Sequence, residues 1–230
     1  FLKKKGIFLI EDSCEALGSK YKNKYLGTYG DLGTFSFYYS HQITSGEGGM
    51  IVCHSKQDYN ILTSLRAHGW DREINKKNKK GFHFINEGFN LRPLDLSAAI
   101  GLNQFKRLYR LKRTRSINRN NIIKSLTLSK KWENQFIFFN PQKNLDPSWF
   151  GLPLIMNRKV IKKKKKFLKY LNKNKIETRP IISGNFVNQP VIKKYKIKFK
   201  KNELKNSQEI EDKGFFIGLP TKILTSLEIK

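Results

Sequence analysis

Cysteine is scarce in this chain of 230 residues: Cys14 and Cys53 are the only two, and they lie far apart. So few thiols exclude a disulfide framework and a structural zinc site. Long apolar runs are missing as well, and none approaches the roughly 18 residues that a membrane-crossing helix needs. Acidic residues are few, 18 against 46 lysines and arginines, which leaves a formal net charge of +28. A charge of that size invites a nucleic-acid reading. Yet lysine far outnumbers arginine, and it is spread through positions where any solvated residue would serve. Phosphate and base-edge recognition leans on the bidentate fork of arginine. The lysines, with abundant Asn and Ile, fit the codon bias of an AT-rich genome. The run Lys162 to Lys166 reads as the exposed face of a helix. No nucleic acid and no membrane is expected as a partner, and no metal.

What is present has an alternating pattern. Gly6 to Ile10 is a short apolar run closed by Glu11-Asp12, as in a buried parallel strand with polar chemistry at its C-terminal edge. Gly27 to Gly33 is rich in turn residues. Thr34 to Tyr39 and Gly49 to His54 read as further strands, and Ser55 to Ala67 has helical spacing. A polar loop is expected over Asp71 to Lys80. Pro93 suits a first helical turn and opens an amphipathic helix expected from Leu94 to about Ser125. Trp149 to Ile155 and Ile176 to Ile182 read as strands, with a basic helix over Lys159 to Asn174 between them. The alternation predicts an α/β architecture. The boundary is expected near 125, with a large domain over 1–125 and a smaller α+β domain over 126–230. Residue 1 is Phe, and the opening residues run straight into a strand, so the chain reads as a fragment. No signal peptide is visible, and a cytoplasmic protein is the default.

Candidate chemistry gathers at the strand ends. Asp12 stands where open α/β sheets place ligands, with Glu15 one helical turn further on. Ser36 precedes His41 by five residues, and His41 stands just before the glycine-rich Gly46 to Gly49. Imidazole is a general base suited to neutral pH. His68, in R-A-H-G-W, is either a second active-site histidine or a helix-end residue before Gly69. Taken singly, each has an ordinary structural reading.

Together these motifs resemble the DegT/DnrJ/EryC1/StrS family of sugar aminotransferases. E-D-S-C-E-A-L-G at 11–18, F-Y-Y-S-H-Q-I at 37–43, F-N-L-R-P-L-D-L at 89–96, S-W-F-G at 148–151 and R-P-I-I-S-G-N-F at 179–186 carry the likeness. It implies the aspartate-aminotransferase-type (fold type I) architecture that uses pyridoxal phosphate or its pyridoxamine form, with part of the large domain and a truncated small one. It also implies that Asp12 meets the pyridinium nitrogen, Ser36 the cofactor phosphate, and Glu15 the ring. Asn90 would reach across a homodimer into the partner's site, with Arg92 a weaker candidate, while His68 and Arg179 would face a nucleotide-sugar substrate. The position of His41 normally holds the lysine that bonds to the cofactor; Lys20, Lys22, Lys24 and Lys56 are poorly placed to replace it. The exchange points to the histidine-bearing branch, which uses glutamate as amine donor, eliminates the 3-hydroxyl of a 4-keto-6-deoxy sugar and releases ammonia. That work belongs to deoxysugar and lipopolysaccharide synthesis. The sister branch with an iron–sulfur cluster needs about four ligands, more than Cys14 and Cys53 supply. An ordinary nucleotide-sugar aminotransferase and an inactive or merely basic binding fragment remain the alternatives.

Overall fold

The computed structural model describes residues 1–75 and 81–229. Its first elements are β1 (Ile10–Asp12), β2 (Lys20–Tyr21), β3 (Lys24–Tyr25), β4 (Leu32–Ser36), β5 (Gly49–Cys53), α1 (Lys56–Arg66), α2 (Asp95–Phe105) and α3 (Leu108–Thr127). There follow β6 (Phe136–Phe138), β7 (Leu145–Asp146), β8 (Gly151–Met156), α4 (Lys164–Lys173), β9 (Thr178–Arg179), α5 (Pro190–Lys194), α6 (Lys205–Lys213), β10 (Gly214–Gly218) and α7 (Ser226–Ile229). Two compact units result. One comprises Phe1–Arg110 with Lys143–Ser148, the other Leu111–Gln142 with Trp149–Lys230. The division falls near the start of α3 rather than at 125, and a short segment after 142 returns to the first unit.

In the first unit β4 is the middle strand of three, parallel to β1 and antiparallel to β5. The register sets Asp12 opposite Thr34 and Ser36 opposite Gly49. The strand expected over Gly6 to Ile10 is displaced to β1, and Ile7, Phe8 and Ile10 are exposed rather than buried. Among the described residues β1 pairs with β4 alone, so its other edge and its apolar side chains are uncovered. The strand expected over 34–39 begins and ends earlier, because the ladder with β5 stops at Ser36 and the chain then turns. β2 and β3 form a hairpin with both loop residues at positive φ, Lys22 at 46° and Asn23 at 64°. That is the turn whose twist matches a hairpin's strands.

α1 is well signalled: Ser55 caps it, its side chain accepting from the Asp58 backbone N–H at 2.9 Å. The single helix expected over 94–125 is instead α2 and α3. A tight turn, with the Arg107 N–H bonded to the Gln104 carbonyl, ends α2 without any proline or glycine to announce it. Of the loop expected over 71–80, residues 76–80 lie outside the described residues; Asp71 itself is buried and bonded to His83 at 2.9 Å.

The second unit is built on the antiparallel sheet β6-β8-β10-β9. Alternate residues of β8, Leu152, Leu154 and Met156, face a core shared with Phe215 and Leu219. The apolar side of α4, Phe167, Leu168 and Leu171, covers that core. The basic helix expected over 159–174 therefore starts late, after a 3₁₀ turn at Ile161–Lys163. The strand expected over 176–182 shrinks to β9, since Pro180 offers no N–H to continue the ladder. β10, a central strand reading G-F-F-I-G, is not anticipated by the sequence pattern. Asn118 of α3 is fully buried; its amide donates to the carbonyls of Pro220 (3.0 Å) and Lys222 (2.7 Å) and accepts from the Leu224 N–H (2.9 Å). Among the described residues no helix is long and apolar enough to cross a membrane, and no group of three or more His, Cys, Asp or Glu side chains is placed to hold a metal ion.

Candidate active site

Adjacent strand residues point to opposite faces, and the Glu11-Asp12 pair divides its work accordingly. The Glu11 carboxylate accepts from the backbone N–H groups of Gly27 (2.8 Å), Tyr29 (2.5 Å) and Gly30 (2.6 Å). It clamps the turn before β4. That turn comes so close to the strand that a Cβ on Gly33 would lie 1.9 Å from the Gly27 carbonyl oxygen. Asp12, by contrast, is exposed. Its Oδ1 accepts from the Cys14 N–H at 3.2 Å, an Asx turn, and from the Thr34 hydroxyl across the ladder at 3.3 Å. The Cys14 thiol, then the Cys14 N–H, hold the Asp12 carboxyl below its usual range. It is anionic at neutral pH. Burial and the neighbouring Asp12 push the Cys14 thiol up.

Leu32, Thr34 and Ser36 share one face of β4. Since Asp12 is bonded to Thr34, Ser36 lies about two residues along the same face from it. The Ser36 hydroxyl accepts from the Tyr38 N–H (3.2 Å), and the Tyr38 carbonyl accepts from the His41 N–H (3.1 Å). These bonds turn the chain and aim the imidazole back toward the end of β1. Its Nε2 lies 3.8 Å from Glu15 Oε1, and the Tyr38 ring stands edge-on to it at 5.6 Å. At 3.8 Å the pair is beyond hydrogen-bond length but within ion-pair reach of a protonated imidazole. Gln42 locks the arrangement. It is 1 % exposed, and its Nε2 donates to the Glu15 carbonyl at 2.5 Å and the Ser148 carbonyl at 3.1 Å. Past it the chain turns through Gly46 at φ +86°, where a Cβ would meet nothing within 4 Å.

Asp12, Glu15, Ser36 and His41 are thus brought to one edge of the first unit's sheet. His68 and Asn90 form a second group. His68 follows the C-cap of α1 with φ at 62°, and the Gly69 N–H reaches back to the Ser64 carbonyl at 2.7 Å. That is the helix-ending motif whose left-handed residue is usually glycine. Its backbone N–H bonds to the Phe89 carbonyl at 2.9 Å, and the preceding Ala67 bridges Asn90, so both candidates sit on one exposed ridge. Nearby, the Arg92 guanidinium lies 5.7 Å from the Trp70 ring centre. Arg179 belongs to the second unit, on β9, paired with Glu177 at 2.8 Å. An open groove of about 690 Å³ is also in that unit, lined by Asn185, Asn188 and Gln208 among others.

Sequence reasoning missed Gln42, Cys14 and Thr34. Cys14 had a signal, since Asp at position i with a bond two residues on is ordinary turn chemistry. Gln42 had only its place beside His41. Its partners are 27 and 106 residues away, which no local pattern reveals.

The sequence profile of the DegT/DnrJ/EryC1/StrS aminotransferase family matches residues 1–226. The chain is 37% identical over 223 residues to a GDP-4-keto-6-deoxy-D-mannose 3-dehydratase of Escherichia coli O55:H7, covering 92% of this chain and 56% of that relative. A dehydratase of the same name from Yersinia pseudotuberculosis is 33% identical over 226 residues, covering 93% and 56%. The chain therefore spans about half the length of the curated relatives it matches. A solved structure of the E. coli 3-dehydratase, with bound hydrated PLP, superposes with a TM-score of 0.86 at 33% identity, covering 97% of this chain and 59% of that one. The backbone has the aminotransferase-type α/β fold.

Proposed function

We propose, on the premise that this chain belongs to the DegT/DnrJ/EryC1/StrS aminotransferase family, that it serves a pyridoxal-phosphate-dependent dehydratase. Its substrate is a nucleotide-linked 4-keto-6-deoxy sugar, from which it removes the 3-hydroxyl. The observation that carries this reading is His41, an imidazole 3.8 Å from a carboxylate, standing where the family's covalent lysine is expected. The relatives named 3-dehydratase support it.

The donor set fits the cofactor. Asp12 offers an exposed, anionic carboxylate for a ring N–H, Ser36 a hydroxyl for the phosphate, and Glu15 lies beside the imidazole. When bound, pyridoxamine phosphate supplies an amine for the 4-keto group and an electron sink conjugated with it. His41 Nε2 accepts the proton whose removal drives out the 3-hydroxyl, contributing about 10²- to 10⁴-fold, and Glu15 balances the imidazolium charge that results. Imidazole cannot recapture the product as a lysine amine would, so water releases it. In sum, glutamate and the 4-keto sugar become 2-oxoglutarate, ammonia and the 3-deoxy-4-keto sugar. Arg179 and His68 would face the nucleotide sugar, an Arg suiting a diphosphate. Asn90 would complete the partner's site in a homodimer, and the setting would be the cytoplasm, in lipopolysaccharide synthesis.

The test is stoichiometry. With glutamate and the 4-keto sugar, one ammonia should appear per sugar consumed, and His41→Lys should lose that ammonia release. Formation of an amino sugar without ammonia would make the chain an aminotransferase instead. Unchanged deoxysugar formation by His41→Lys would remove His41 from the choice of chemistry.

A further inference from the structure

The segment Lys193 to Lys200 reads K-K-Y-K-I-K-F-K, lysine alternating with apolar side chains. α5 ends there in a complete capping motif: the Lys196 N–H bonds to the Lys193 carbonyl (3.2 Å), the Ile197 N–H to the Ile192 carbonyl (3.1 Å), and Lys196 takes φ 52°. Ile192 is buried, so this motif fixes the start of the segment to the second unit. Tyr195, Ile197 and Phe199 are 66%, 50% and 41% exposed. The lysines between them are exposed as well. Nearby acidic groups are already engaged, Glu203 with Lys200 at 3.2 Å and Glu209 with Lys213.

We propose that this segment docks the second unit onto an anionic lipid surface. Exposed apolar tips among lysines suit the headgroup region, where rings and the Ile chain reach the acyl boundary while ammonium groups stay at the phosphates. A nucleic acid is a poorer fit. The segment contains no arginine for bidentate recognition, and its central apolar residue, Ile197, has no π-face for a base to stack on. Each lysine near an anionic leaflet strengthens binding by roughly fivefold.

Co-sedimentation of the chain with vesicles tests this. Phosphatidylcholine vesicles containing phosphatidylglycerol should carry it down, phosphatidylcholine alone should not, and added salt should weaken the binding. Lys194→Gln with Lys196→Gln and Lys198→Gln should cost on the order of a hundredfold. Tyr195→Ser with Ile197→Ser, which leaves the charge unchanged, should still cost several-fold. The altered side chains are exposed, so an unchanged melting curve verifies the fold. Lys165→Gln with Lys166→Gln and Lys169→Gln on α4 makes the same charge change elsewhere and should cost less. An equal loss from the α4 variant, full binding by the apolar variant, equal binding to neutral vesicles, or tighter binding to a DNA duplex than to the anionic vesicles would each overturn the proposal.

Discussion

Replacing Gln42 by leucine probes how the site is held together. The side chain keeps its approximate volume but loses the amide that bridges the Glu15 and Ser148 carbonyls. At 1 % exposure water cannot take over. The two unpaired carbonyls, Ser148's buried and Glu15's partly so, cost about 1–3 kcal/mol each, and the better burial of leucine returns roughly 1–2 kcal/mol. The net loss expected is about 2 kcal/mol. Because the chain has two units, a single unfolding midpoint would blur the effect; amide exchange resolves it. Protection of the β4 and β5 amides should fall roughly thirtyfold, since about 1.4 kcal/mol is a factor of ten. Amides of β8 and β10 should be unchanged. Gln42→Glu, isosteric but presenting an acceptor to two carbonyls, should do at least as much harm. Unaltered protection in β4 and β5 in either variant would refute the claim that Gln42 holds the Glu15 and His41 segments in register.

Three further outcomes follow from the same geometry. Glu11→Ala removes the acceptor of three backbone N–H groups and should cost the first unit about 3 kcal/mol, seen as faster exchange at Gly27, Tyr29 and Gly30, whereas Glu11→Gln keeps one oxygen and should cost about half. Cys14→Ala removes the largest cause of the lowered Asp12 pKa, so the carboxyl titration followed by NMR should move up toward its ordinary value. With a folded pKa below the unfolded one, Asp12 contributes stability above its ordinary pKa that is lost as pH falls through the folded value, and the variant, which keeps the Cys14 N–H and Thr34 bonds, should show a smaller acid-sensitive increment. Asn118→Ala breaks three bonds at a fully buried site and should cost the second unit about 3 kcal/mol, with early tryptic cleavage after Lys222.

Local chemistry was legible from the residues alone. Helical spacing over Ser55 to Ala67 announced α1, the run Trp149 to Ile155 announced a strand, and the order of Asp12, Ser36 and His41 along the chain pointed to strand-end chemistry and to a family. Each of these signals acts within a few residues: a helical spacing, an apolar run, a motif. Tertiary structure decided the rest because the deciding partners are distant in sequence. Glu11 and Asp12 look alike in a string of letters; only the pairing of β1 with β4 turns one into a clamp for a glycine turn and the other into an exposed anion. The break at Lys106 has no helix-breaking residue, and β10 was hidden because a two-phenylalanine run between glycines becomes a strand only when β8 and β9 supply both of its edges. Gln42 is one more polar letter until the fold brings Glu15 and Ser148 to it, because a buried amide takes its meaning from the carbonyls it must satisfy.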